Sequence, residues 1–122
     1  MSATARPCTR DFFALVDTMD VATISPHFAE DAQVAFGNSQ PLVGVEQVSM
    51  GLTAFFDTIA GLRHDIVNEW NVGDDTIAEF KITYDRKDGR QVTIPCVTIF
   101  HVDAAGKIDA YRVYFDVTPI YA

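Results

Sequence analysis

Apolar residues along this chain change their spacing twice, and the changes mark out its elements. Phe12, Leu15, Val16 and Met19 recur every three or four residues, which puts them on one face of a helix over 9–19 with Thr9 as its cap. Asp20 can cap a second helix over VATISPHF, with Phe28 as its inward anchor. Pro26 sits inside that pattern and should kink or split it, since it has no N–H to donate. The spacing then drops to alternation: Ala32, Val34 and Phe36 are separated by polar or small residues, a short strand. GNSQPLVG reads as loop. Helical spacing returns from Val45 to Ala60, where Val48, Leu52, Phe55, Phe56 and Ile59 form the buried stripe of the longest helix, stopped by Gly61.

After that helix the chain reads as strands only. In 63–72, His64, Ile66, Asn68, Trp70 and Val72 share one face by alternation. A GDD turn leads to 76–84, with Phe80, Ile82 and Tyr84 on one face and Glu79, Lys81 and Thr83 on the other. A DRKDG hairpin loop follows. The stretch 90–117 holds the longest strand-like text, two strands joined by a tight turn at Asp103–Gly106. From Val92 to Val102 nearly every residue is β-branched or aromatic. Ile94, Cys96, Thr98 and Phe100 take one face, and Thr93, Pro95, Val97, Ile99 and His101 the other. Pro95 cannot donate to a ladder and marks a bulge or an unpaired stretch of edge. Tyr111, Val113 and Phe115 alternate with Arg112, Tyr114 and Asp116, a polar yet aromatic set that suits an interface. A strand apolar on both sides is covered on both sides: helices on one, a second copy of the chain on the other. Helices first and a strand meander after give an α+β fold, with helices on one face of a curved sheet, in one domain over 1–122.

Composition narrows the partners. The chain has 122 residues and a formal charge of −8, which argues against a phosphate backbone or an anionic membrane surface as ligand. No apolar run approaches the roughly 18 residues of a membrane span, and MSATARPCTRDFF lacks a signal-peptide core. Cys8 and Cys96 lie far apart without metal-ligand spacing, so two reduced thiols and a cytoplasmic location are expected. Three scattered histidines make no metal set, and no glycine-rich loop offers a phosphate cradle; neither metal nor cofactor is expected.

Three stretches carry a resemblance. FFALVDTMDVATISPHFAEDAQV, with Asp31–Ala32, resembles the first helices and strand of the nuclear transport factor 2-like superfamily, SnoaL-like group. PLVGVEQV, from Gly44 to Val48, is similar to that group's lead into its long helix. IFHVDAAGKIDAYRVYFDV is similar to its last hairpin, with the GKI turn. The superfamily also holds ketosteroid isomerase, limonene-epoxide hydrolase and scytalone dehydratase. The resemblance implies a cone: a strongly curved, mostly antiparallel sheet wrapped around three N-terminal helices, an apolar pocket at one end, and a homodimer through the outer sheet face. The relatives' carboxylates do not carry over. Phe36 stands where the isomerase has its base, Phe12 where it has a tyrosine donor and Thr98 where it has a protonated aspartate. Val113 stands where the epoxide hydrolase has its last-strand aspartate, and its Arg–x–Asp half falls near Glu79–Phe80–Lys81 with the charges reversed.

The candidate chemistry is therefore sparse. His64 is the acid/base candidate; the alternative is a structural histidine held by Asp65 or a backbone carbonyl. His101 and His27 are read as interface or surface residues, Cys96 as a small buried hydrophobe, and Asp17 as a solvated charge near the pocket mouth. The expected ligand-binding walls are Phe12, Val16, Phe28, Phe36, Phe55, Trp70, Phe80, Tyr84, Cys96, Thr98, Phe100, Tyr111, Val113 and Phe115, with Val34, Ile59 and Ile82 beside them. His64, Tyr84, Thr98 and Tyr111 supply the polar tips. Such a pocket suits a small hydrophobic or aromatic molecule bearing one or two oxygens. Three functions fit: a binding protein for that ligand; a cofactor-free lyase, isomerase or cyclase using His64 with a tyrosine; or a dimer module whose pocket is collapsed by its aromatics.

Overall fold

The computed structural model describes residues 8–122. The sequence before Thr9 reads as a loose lead-in to the first helix, and all of it but Cys8 lies outside the described residues. Helix α1 is Thr9–Asp17, α2 is Val21–Ile24 followed by a 3-10 turn at Ser25–His27, and α3 is Val45–Phe56. The strands are β1 Phe28–Phe36, β2 Leu42–Val43, β3 Gly61–Val72, β4 Asp75–Asp85, β5 Gln91–Val102 and β6 Ile108–Phe115, and a short α4 closes the chain at Thr118–Tyr121. They form one six-stranded sheet in the order β2-β1-β6-β5-β4-β3. All pairs are antiparallel except β1 with β6, which run parallel and are joined by the long crossover that such a pair requires, here α3 and the strands between. The architecture is the expected α+β one, with a curved sheet whose inner face carries the helices.

Several local expectations change. Pro26 does split the second helix: the α-helical turn stops at Ile24 and Pro26 continues as 3-10. Phe28 begins a strand instead of ending that helix. Thr9 is the first helical residue, and its hydroxyl donates to Glu69 Oε2 at 2.9 Å instead of capping. On α1 the buried stripe is Phe12, Phe13 and Val16, with Leu15 only half-buried. Helix α3 ends at Phe56, and Gly61 already belongs to β3, where an added Cβ would fall 2.8 Å from Asp85 Oδ2 and displace that carboxylate. The expected loop before α3 holds the two residues of β2, and α4 had no periodic signal because it is one turn long.

The largest change is in β3. The β3–β4 register slips between Ile66 and Asn68, so Val67 is a bulge. Two residues then oppose one, and alternation inverts beyond that point. His64 and Ile66 stand opposite Ile82 and Phe80 on the inner face, whereas Asn68 and Trp70 stand opposite Glu79 and Ile77 on the outer one. Glu69 and Asn71 turn inward instead, opposite Ala78 and Thr76, where Thr9 and Thr76 hydroxyls donate to them. Strand β4 keeps the expected faces: Phe80, Ile82 and Tyr84 are each 1% exposed, while Glu79 faces out and accepts from Asn68 Nδ2 at 2.9 Å. Pro95 lies just past the end of the β5–β6 ladder, where no N–H is needed.

Candidate functional site

Between the helices and the inner sheet face lies a cavity of about 40 Å³. Helix α1 contributes Phe12 and Val16 to it because those two fall a turn apart on its inward face. Helix α3 contributes Phe55 from the edge of its stripe, and β1 contributes Phe28 and Phe36. The sheet floor is Tyr84 from β4, Cys96 and Thr98 from β5, and Tyr111, Val113 and Phe115 from β6. His64 of β3 closes one end. The fold thus gathers eleven of the fourteen expected wall residues, together with His64, around one space.

Three expected walls lie elsewhere. Trp70 is on the opposite face of the sheet and 49% exposed, because the Val67 bulge turns it outward. Phe80 and Phe100 face inward but are covered by α1: the Phe13 ring lies 4.5 Å from that of Phe80 and 6.2 Å from that of Phe100, which fills the space between them and the cavity. Ile59 is buried but follows the end of α3 and does not line the cavity, whereas Val34 and Ile82 do.

The site has one polar pair that alternation and spacing did not reveal. His64 Nδ1 lies 2.6 Å from Asp17 Oδ1, and the His64 backbone N–H donates to the same carboxylate at 3.0 and 3.2 Å. The side chains are 7% and 22% exposed, so neither is a solvated surface group, and Asp65 is paired with Arg63 instead. A carboxylate on Nδ1 fixes the proton there and leaves Nε2 with its lone pair; Nε2 makes no hydrogen bond among the described residues. The Phe13 and Phe80 rings flank the imidazole at centroid distances of 4.9 and 5.0 Å and hold its plane. A signal for Asp17 did exist. It lies one turn past Phe13 on the same face, and it ends a helix, where the macrodipole disfavours a carboxylate unless something else satisfies it.

The other polar tips are phenols and a thiol. Burial, then the neighbouring Cys96, pushes the Tyr84 hydroxyl well above its usual range. Burial does the same at Tyr111, followed by Cys96 and Tyr84, with the Thr98 hydroxyl acting the other way. Both phenols therefore stay protonated as donors, and the Tyr84 hydroxyl makes no hydrogen bond among the described residues. Asp17 contributes to both shifts, which puts the Asp17–His64 pair and the two phenols in one electrostatic neighbourhood. Burial raises the Cys96 thiol to about 11, so it behaves as an apolar filler. His101 lies on the outer face, where Asp109 Oδ1 is 2.6 Å from its Nδ1, and His27 packs half-buried against Phe12. No cluster of metal-ligating side chains occurs among the described residues, and none of their helices is long and apolar enough to cross a membrane.

Comparison with known proteins agrees with this architecture. The family model described as SnoaL-like domain matches residues 9–111. No curated protein matches the chain by sequence. Among solved structures, a hypothetical protein with a ketosteroid isomerase-like fold from Catenulispora acidiphila, determined with trimethylamine, superposes with a TM-score of 0.83 at 16% identity, over 95% of this chain and 91% of that one. A nuclear transport factor 2-like protein of unknown function from Burkholderia pseudomallei gives 0.79 at 15% identity, over 91% and 89%. An epoxide hydrolase of the limonene-epoxide hydrolase-like type from M. tuberculosis gives 0.75 at 19%, over 92% and 82%. At such identities the likeness is one of fold.

Proposed function

We propose that this chain, which belongs to the SnoaL-like domain family, binds a small hydrophobic or aromatic molecule bearing one or two oxygens and performs cofactor-free acid–base chemistry on it with His64. The observation that carries the reading is the Asp17–His64 pair set in the wall of an otherwise apolar cavity. Asp17 holds the Nδ1 proton and orients the ring. Nε2 then takes a proton from a carbon beside a carbonyl. Charge developing on the carbonyl oxygen meets Tyr84 or Tyr111, which remain protonated donors. His64 returns the proton to another carbon of the same molecule, an isomerisation, or to a departing hydroxyl, which leaves as water in a dehydration. Nothing is oxidised or reduced in either case. The cavity as it stands has a volume of about 40 Å³, room for a few waters, whereas a benzene ring needs about 150 Å³, so the ligand enters as wall side chains turn aside.

The test uses β-tetralone, a flat aromatic ketone, in heavy water, with exchange of its α-protons followed by NMR. The wild-type chain should accelerate exchange, His64→Ala should abolish the acceleration, and Asp17→Asn should lower kcat with little change in KM. Binding without acceleration would reject the catalytic reading and leave a ligand-binding protein. Absence of binding would reject both.

We further propose that a second copy of the chain covers the outer sheet face. Trp70, Ile77, Ile99 and Arg112 are successive partners across four strands there, with Val97 and Tyr114 alongside. Trp70, Val72 and Tyr114 are each about half exposed or more, an apolar patch of the kind that marks an interface. The free thiols of Cys8 and Cys96 suit a reducing, cytoplasmic setting.

A further inference from the structure

A second, wider chamber of about 610 Å³ adjoins the inner cavity. The two spaces share Phe36, Phe55 and Phe115 and no other residue. The Phe36 and Phe55 rings stack at 6.5 Å with planes 20° apart, and all three side chains are only half-buried. We propose that this chamber is an outer subsite of the same ligand site, reached through the three phenylalanines, and that it takes the uncharged, hydroxyl-bearing tail of an elongated ligand whose apolar ring lies in the inner cavity. The inference rests on the reading of the inner cavity as a ligand site.

Size, chemistry and rigidity lead to it. The inner cavity admits an aromatic ring only as its walls turn aside and leaves no space for a tail beyond it, while the chamber lies within the usual range for ligand pockets, about 300–1,000 Å³. Its rim carries Asn38, Ser39 and Gln40, whose side chains make no hydrogen bond among the described residues and present amides and a hydroxyl to whatever enters. Amides and hydroxyls both donate and accept, as a polyol or sugar does. The lining has no Lys or Arg, and its one charge is Asp116, held ionised by hydrogen bonds from the Thr118 side chain and backbone. An anionic tail would meet repulsion with no compensating cation.

The walls are preformed. The Gly37 N–H donates to the Val113 carbonyl at 2.8 Å and the Ser39 N–H to the Phe36 carbonyl at 2.9 Å, with Gly37 at φ 52°, so the loop is a fixed turn. The opposite wall is the C-terminal segment. Arg86 Nη1 donates to the backbone oxygens of Pro119 and Ala122 at 3.3 and 2.6 Å, Tyr121 and Thr58 hydroxyls lie 2.8 Å apart, and Ile120 is 3% exposed. Pre-ordered walls lower the entropic cost of holding a tail.

The experiment compares phenol, phenyl β-glucoside and phenyl phosphate as probes of the full chain, with affinities from protein-observed NMR. The glucoside should bind about tenfold tighter than phenol, the gain of a few new hydrogen bonds, and the phosphate should bind more weakly than phenol. Asn38→Ala with Gln40→Ala should bring the glucoside down to phenol and leave phenol unchanged. The wild-type series stands on its own should the double variant lose its fold. A glucoside no tighter than phenol, a phosphate as tight as the glucoside, or a folded double variant that keeps the full gain would each overturn the subsite. If phenol itself does not bind, the inner site fails and the outer one with it; if phenol binds and the sugar adds nothing, only the outer one fails.

Discussion

Replacing Asp17 with alanine removes the one carboxylate that serves both the Nδ1–H and the backbone N–H of His64, at 2.6 and 3.0 Å. Each buried donor left without its partner costs about 1–3 kcal/mol. Removing a negative charge from the last turn of α1 returns about 0.3–1 kcal/mol, since the helix dipole opposes it there. The pair is largely buried, at 7% and 22% exposure, so solvent screening takes off little. The expected net loss is about 1–6 kcal/mol for Asp17→Ala, and about half of that for Asp17→Asn, whose amide oxygen still serves one donor. Urea unfolding followed by circular dichroism reads the change as a shift in midpoint at constant slope. A double-mutant cycle with His64→Ala isolates the side-chain term, expected at about 1–3 kcal/mol, because the backbone hydrogen bond survives in the histidine variant. An Asp17→Ala midpoint within about 0.5 kcal/mol of wild type, or a coupling near zero, would show that the pair is not formed in solution and would remove the orienting role given to Asp17.

Three further outcomes are expected. If the outer sheet face forms the proposed homodimer, Ile99→Glu should leave only monomer in light scattering where the wild type is dimeric, because association would bury an unpaired carboxylate; the single tryptophan, Trp70, should then be quenched freely by acrylamide. A variant that remains dimeric would exclude the outer sheet face as the interface. Thiol reagents should label exposed Cys8 rapidly and leave Cys96 untouched in the folded chain until pH approaches its raised value of about 11, and equal labelling of both at neutral pH would contradict the packing of β5. The hydrogen bond to Asp109 raises the His101 imidazole above its ordinary value. Protonation therefore favours the fold: the contribution is complete below about 6.5, where the unfolded histidine is protonated too, and fades as pH rises through the folded value. Asp109→Asn should lower the His101 midpoint in an NMR titration; an unchanged midpoint would count against the pair.

The cavity walls that could be read beforehand are those whose position follows from local spacing. Phe12 and Val16 fall on the inward face of a regular helix. Cys96 and Thr98 alternate on an unbroken strand, as do Tyr111, Val113 and Phe115. Alternation puts Phe80 and Phe100 on the correct face, yet whether an inward residue meets a cavity or another side chain depends on what packs over it, here Phe13. Alternation puts Trp70 on the wrong face because one unpaired residue inverts every later position of a strand, and nothing in RHDIVNEWNV distinguishes Val67 as that residue.

The sequence by itself determined the periodicities, and through them the element types, the α+β order, the apolar character of both sheet faces and the family. Those features depend on neighbours within a few positions and on composition, which the linear text contains. The tertiary structure alone decided the parallel contact of β1 with β6, the bulge, the separation of an inner cavity from an outer chamber, and the meeting of Asp17 with His64. That pair joins residues 47 positions apart in the chain, from a helix end and a strand whose relative placement follows from packing the whole core. Long-range side-chain pairs carry no local period, so they become visible only when the elements have been set against each other.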